Sequence, residues 1–303
     1  MTTPRMSAEQ TRATLKALEQ ALAHHEEWAL ALHGALICRL EPDPRDLDPD
    51  AHHLCQFGQW YCRHGIAALE QHPGFIEIGV THEQVHQNAA RLLRQSLAGA
   101  PIPIADYRIF VAALKRFRED IAIIQHELED ALANLDPLTG TPNRAGMLSA
   151  LREQKELVKR KVHPCCVAML DLDHFKRVND KYGHAVGDRV LIAIAQHVTA
   201  HLRPYDKIFR YGGEEFLVCL PDADLQVGYD IVDRLREQLA ELPHTADGTE
   251  TFHVTVSFGL ALLDPDIPVE QSVDRADKAL YAAKAGGRNR AVTWDASMKM
   301  LQA

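Results

Sequence analysis

From residue 7 to about 134 the apolar positions recur every three or four residues, with almost no strand-like alternation, so this stretch predicts helices. The first spans 7–40, with Ser7 as its cap and Pro42-Asp43-Pro44 beyond its end. After an Asp- and Pro-rich loop to Asp50, a second helix covers 52–71 and stops at His72-Pro73-Gly74. A third covers 76–97, ended by Gly99, Pro101 and Pro103, and a fourth covers 106–135. Four helices with short links predict an antiparallel bundle. On the fourth, Tyr107, Phe110, Leu114, Phe117, Ile121, Ile124, Leu128, Ala131 and Leu135 form an unbroken heptad seam. Its first half suits the inside of the bundle. Its second half, about 115–135, is expected to continue as a stalk that pairs with a second copy of the chain.

At Asp136 the pattern changes. Pro137 cannot continue the helix, and beyond it helices and strands alternate. Helices are predicted at 143–160, 187–203, 224–241 and 272–285, and strands at 165–172, 207–210, 215–220, 252–263 and 290–294. The fold class is therefore α + α/β. Residues 1–134 form a helical four-helix-type bundle ending in the stalk, and 136–303 form an α/β domain with helices over a sheet.

A length of 303 residues favours two domains, and 46% apolar with 25% charged residues is ordinary for a soluble globular chain. No apolar run approaches a bilayer span, and Met1-Thr2-Thr3-Pro4-Arg5 carries no apolar signal, which predicts a cytoplasmic protein with no membrane partner. A net charge of -9 argues against nucleic acid as a partner, so an anionic substrate must be held by local cations or metal ions. The six cysteines have no framework spacing and are expected reduced. Seventeen histidines, several in the first third of the chain, point to a metal site there.

The densest chemistry lies in Arg210-Tyr211-Gly212-Gly213-Glu214-Glu215-Phe216, where two glycines and two acids separate two apolar runs. Paired glycines between strands predict a tight hairpin with positive-φ residues, and its acids stand at a sheet edge. The strand 165–172 ends at Asp171 and Asp173. If it neighbours the hairpin, Asp171 and Glu214 converge, and a hard cation such as Mg²⁺ must separate them.

At this point the chain resembles the GGDEF family of diguanylate cyclases. Asp136 through Arg144, Asp171-Leu172-Asp173-His174-Phe175-Lys176 and Asn179 through His184 match its blocks in order. Gly187-Asp188, Arg210 through Phe216, Thr255 through Gly259 and Ala276 through Lys284 continue the match. Thr141 departs from the leucine usual in the first block. The resemblance implies a palm-like sheet that joins two GTP into cyclic di-GMP with release of pyrophosphate. It implies that Asp171, the Leu172 carbonyl and Glu214 hold two Mg²⁺ per site, with Glu215 a further ligand or the proton acceptor. Lys176, Lys284 and Arg288 would hold phosphates, with Gly212 and Gly213 letting backbone approach them, and Asn179 and Asp188 would read guanine. Lys284 and Arg288 are four apart near a helix end, which predicts one shared face. One GTP per subunit requires a homodimer. Arg203-Pro204-Tyr205-Asp206 matches the family's Arg-x-x-Asp site, so cyclic di-GMP is expected as an inhibitor as well as a product.

His82 and His86, four apart on a helix, suit a tetrahedral metal. With His24-His25-Glu26-Glu27-Trp28 and Cys55-Gln56-Phe57-Gly58-Gln59-Trp60 they resemble the chemoreceptor zinc-binding family. That resemblance implies His25, Cys55, His82 and His86 as ligands of one Zn²⁺ per N-terminal domain. His52, His53 and His64 read as surface or outer residues and Cys62 as packing. The combined expectation is a diguanylate cyclase restrained by zinc. A cyclic di-GMP receptor without activity, and a metal-handling module with a merely dimerising partner domain, are the competing classes.

Overall fold

The computed structural model describes residues 8–64, 69–246 and 250–300, so the cap expected at Ser7 lies outside the described residues. It divides into two compact units, Met1–Ala133 and Asn134–Ala303. Among the described residues, no helix is long and apolar enough to cross a membrane.

The N-terminal unit is helical: α1 (Ala8–Cys38), α2 (Ala51–Leu54), α3 (Gln56–His64), α4 (Pro73–Leu97) and α5 (Ile104–Ala133). The expected second helix is broken. Cys55 adopts extended backbone (ψ 160°), and its thiol accepts the Gly58 N–H at 3.2 Å, capping α3 as a serine would. The break brings the His52 carbonyl so close that a Cβ on Gly58 would stand 1.7 Å from it. Only glycine fits there. The third helix starts earlier than expected, with Pro73 in its first turn, where a missing N–H costs nothing.

The heptad seam of α5 is spent inside this unit. Phe110, Leu114, Phe117, Ile121, Ile124 and Leu128 are all buried in a core shared with Leu18, Phe57, Ile78 and Val85. The bundle does not end near residue 115, because α4 begins beside the far half of α5. His72 Nε2 lies 3.2 Å from Glu127, and a Cβ on Gly74 would come within 2.9 Å of Ile124. From Phe110 to Leu128 the seam therefore packs within one chain, while Ala131 and Leu135 are half-buried.

The second unit contains α6 (Arg144–Lys159), β1 (Cys165–Leu172), α7 (Phe175–Tyr182), α8 (His184–His201), β2 (Lys207–Arg210), β3 (Glu215–Pro221), α9 (Leu225–Glu241), β4 (His244–Thr245), β5 (Thr251–Phe252), β6 (Val256–Leu262), α10 (Val269–Ala285) and β7 (Ala291–Thr293). The main sheet has the order β2-β3-β1-β6-β7, antiparallel except for the β6–β7 pair. Every residue of β1 is buried, as expected for a central strand covered on both faces. Its alternating side chains divide into two cores. Cys166, Ala168, Leu170 and Leu172 pack with α8 and α9, whereas Cys165, Val167 and Met169 pack with α6 and α10.

Three elements differ from the sequence pattern. The strand expected at 252–263 is divided into β5 and β6, β4 pairs with β5 as a separate ribbon, and α7 was not foreseen. Helix α7 spans eight residues and is entered through His174 in the left-handed region (φ 57°). Gly183 (φ 84°) then turns the chain directly into α8.

Gly259 of β6 is where α10 meets the sheet. A Cβ there would stand 2.0 Å from the Leu280 nitrogen and 2.2 Å from the Ala276 carbonyl oxygen, both backbone. Gly259→Ala is expected to destabilise the chain by about 3 kcal/mol or more, read as a lowered thermal midpoint. An unchanged midpoint would show that helix and sheet can separate here without cost.

Candidate active site and metal centre

The register of the sheet assembles the acidic site. Asp171, near the end of β1, pairs with Glu215 at the start of β3, and the Leu172 N–H reaches the Glu214 carbonyl at 3.4 Å. Asp171 is buried, whereas Glu214 and Glu215 are half-buried. Burial, and then the charge of Asp171, hold both glutamate carboxyls above their usual range. Burial also raises Asp171, against the pull of Lys284, whose Nζ lies 2.8 Å from Asp171 Oδ2. Carboxylates crowded in this way form a donor set that a divalent cation fits, because it offsets the repulsion between them.

The glycines act differently from the expectation. Neither Gly212 nor Gly213 has positive φ. Instead, a Cβ on Gly212 would meet the Glu215 carboxylate at 2.5 Å, while the corresponding position on Gly213 faces open space. One glycine makes room for an acid and the other leaves a free approach to backbone.

Arg210 holds this turn and was missed as a working residue. Its Nε donates to the Gly212 carbonyl at 3.2 Å, Nη2 to that of Gly213 at 2.7 Å, and Nη1 to Asp136 Oδ1 at 2.8 Å. The signal was present, since Arg210 and Asp136 each open a motif block. Asp173 is a tie, not a site acid. It is buried and accepts from Thr255 Oγ1 at 2.7 Å, Ser257 Oγ at 2.8 Å and the Asn289 N–H at 3.0 Å.

Those bonds fix the loop after α10, where Gly287, Arg288 and Asn289 all have positive φ. Helix α10 ends at Ala285, so Arg288 does not share a helical face with Lys284 as expected. Both still act on Asp171, whose charged form each favours. Lys176 is exposed in the first turn of α7. Asn179 of α7 lies against the start of α8, where a Cβ on Gly187 would stand 2.0 Å from Asn179 Oδ1, and Asp188 is the next residue. Away from this group, the Arg203 N–H donates to Asp206 Oδ2 at 3.0 Å in a tight turn, leaving the Arg203 side chain exposed.

In the N-terminal unit, ligand atoms of His25, His82 and His86 all lie within 4.8 Å of one another. Cys55 Sγ is 3.3 Å from His82 Nε2. The structure selects His25, which is buried, over the adjacent half-buried His24. Burial lowers all three imidazoles, His25 and His86 to about 3, and pushes the Cys55 thiol up to about 11. His25 Nε2 and both ring nitrogens of His86 are shielded from solvent without a hydrogen-bond partner. Neutral nitrogens with no partner beside a thiol are a donor set that fits Zn²⁺. Cys62 is exposed rather than packed in a core, and the His64 side chain lies outside the described residues.

This fold and site define a class. Residues 133–290 match the family described as diguanylate cyclase, GGDEF domain, and the chain belongs to it. Residues 25–93 match the chemoreceptor zinc-binding domain. Diguanylate cyclase DgcZ of Escherichia coli is 29% identical over 285 residues, covering 93% of this chain and 94% of that protein. Diguanylate cyclase DgcP of Pseudomonas aeruginosa is 41% identical over 174 residues, which are 57% of this chain but only 26% of that protein. The coiled coil and GGDEF domain of DgcB from Caulobacter crescentus, solved with c-di-GMP, aligns with a TM-score of 0.53 at 30% identity, covering 62% of this chain and 97% of that one.

Proposed function

We propose that the chain condenses two GTP into cyclic di-GMP, releasing two pyrophosphates, at the interface of a homodimer whose subunits each hold one GTP. The observation that carries this reading is the convergence of Asp171 with Glu214 and Glu215 beside Lys284. It lies within the segment that matches the cyclase family. When bound at Asp171, the Leu172 carbonyl and Glu214, two Mg²⁺ supply Lewis acidity to the triphosphate and acidify the attacking 3′-hydroxyl. Lys284, Arg288 and Lys176 hold phosphate oxygens, and the open face of Gly213 lets them approach backbone. Asn179 and Asp188 read guanine, Asp188 accepting from its N1 and N2 donors, which adenine lacks in that arrangement. The ribose 3′-oxygen of one GTP then attacks the α-phosphorus of the other. The α–β anhydride bond breaks, pyrophosphate leaves, and Glu215 is placed to take the hydroxyl proton.

The four donors His25, Cys55, His82 and His86 hold one Zn²⁺ per N-terminal unit. Phe117 of α5 supports a link from this site to the rest of the chain. Its ring centroid lies 4.6 Å from that of His25 and 5.3 Å from that of His82, and α5 runs on directly to Asn134. Zinc therefore bears on the helix that enters the cyclase unit, and bound zinc lowers activity by keeping the two half-sites apart. The exposed Leu30 and Ile37, seven residues apart on α1, offer an apolar stripe for a second copy. Arg203, with its side chain free of the turn, and Asp206 bind cyclic di-GMP as an inhibitor. The protein acts in the cytoplasm.

Glu214→Gln is expected to lower cyclic di-GMP formation from GTP and Mg²⁺ by at least a hundredfold while leaving the circular dichroism spectrum unchanged. Full turnover by that variant would contradict the assignment of Glu214. Removing zinc by chelation, or with Cys55→Ala, is expected to raise the cyclase rate severalfold, with at least one equivalent of bound zinc per chain lost by metal analysis. Equal rates after confirmed metal loss would contradict control by zinc.

A further inference from the structure

A second nitrogen–sulfur pair lies outside the inner donor set. His53 of α2 and Cys62 of α3 are both exposed, and His53 Nδ1 stands 3.2 Å from Cys62 Sγ. The break in the helix at Cys55 brings them together, since residues nine apart on a continuous helix would stand on opposite faces about two and a half turns apart. Their spacing is close to that of the inner pair, where Cys55 Sγ is 3.3 Å from His82 Nε2. Zinc bound tetrahedrally to a nitrogen at about 2.0–2.1 Å and a sulfur at about 2.3 Å holds those atoms about 3.5 Å apart. A shift of a few tenths of an ångström at the surface would therefore admit an ion.

Two neighbours extend the pair. The His52 ring lies 3.9 Å from the His53 ring, and its Nδ1 is shielded from solvent without a hydrogen-bond partner. Glu83 lines the same cavity, whose volume is about 310 Å³ and whose wall also includes His53, Cys62 and the inner residue His82. The His52 and His82 ring centroids are 6.4 Å apart, so imidazoles lead from the surface pair to the inner set.

We propose that His53 and Cys62, with His52 and Glu83 beside them, form a second, outer zinc site through which the ion reaches His25, Cys55, His82 and His86. The site itself stands on these contacts alone, whereas the transfer rests on the inner set binding zinc. On capture the Cys62 thiol releases its proton to water as the sulfur–zinc bond forms. On transfer that bond breaks and Cys62 takes a proton back from water, while Cys55 loses its own proton and binds the ion. An outer site of few ligands beside a closed inner one binds more weakly and exchanges faster, as an entry site requires.

The test uses the full chain stripped of metal and titrated with Co²⁺ and with Zn²⁺. The native protein is expected to take up two equivalents, each with a thiolate-to-cobalt charge-transfer band. Cys62→Ser and His53→Ala are expected to take up one, at the native inner affinity, and to fill at least tenfold more slowly from chelator-buffered Zn²⁺ in stopped flow. Cys55→Ala should retain the outer equivalent and its band. A native protein that saturates at one equivalent, lost in Cys55→Ala and unchanged in amount and rate in Cys62→Ser, would overturn the outer site and leave the inner one standing. One equivalent kept in Cys55→Ala and lost in Cys62→Ser would support the outer site and remove the inner one.

Discussion

The catalytic unit depends on charge that the fold itself leaves uncompensated. Antiparallel pairing of β1 with β3 sets Asp171 opposite Glu215, and the turn before β3 adds Glu214. Lys284 answers Asp171 at 2.8 Å, while the two glutamates keep raised carboxyls. Such crowding destabilises the free protein, and it persists because the surrounding contacts hold the strands in register. Arg210 fastens the turn to Asp136, and Asp173 fastens the end of β1 to β6 and to the loop that carries Arg288. The backbone that carries the acids is therefore tied at both ends, while the position above Gly213 faces open space.

The N-terminal unit follows the same logic with softer donors. A thiol that caps a helix and also touches an imidazole ties local backbone geometry to the metal site. Cys55 does both, accepting from the Gly58 N–H and standing beside His82. Occupation of that thiol by a cation would alter the bond that starts α3, and Phe117 of α5 lies against two of the imidazoles. The donor atoms and the packing contacts are shared, so under the proposed function a change in metal occupancy would become a change in the packing of α5.

Much of this architecture was legible in the residues. The strand from Cys165 to Leu172 reads as one apolar run because it is buried on both faces, and the order of the motif blocks led to the cyclase family. What stayed hidden depended on what covers a surface rather than on which surface is apolar. The heptads of α5 show a continuous apolar face, but not that α4 of the same chain covers it. The break at Cys55 was illegible because cysteine is not a usual capping residue, although Gly58 marked the close approach. Gly212 and Gly213 suggested left-handed backbone, while the structure uses one to clear a carboxylate and the other to leave backbone open. Helix α7 is too short for periodicity to identify, and Arg288 departs from the helical pattern because Gly286 and Gly287 end α10 before it.

Under the proposed function this acidic cluster, completed by magnesium, joins two GTP. Quantifying cyclic di-GMP and pyrophosphate together, from purified full chain and GTP over a Mg²⁺ titration, tests it most directly. Two pyrophosphates are expected per cyclic di-GMP, with a rate that is zero without the metal and saturates with it. GTP that binds at saturating Mg²⁺ and is recovered intact would contradict it.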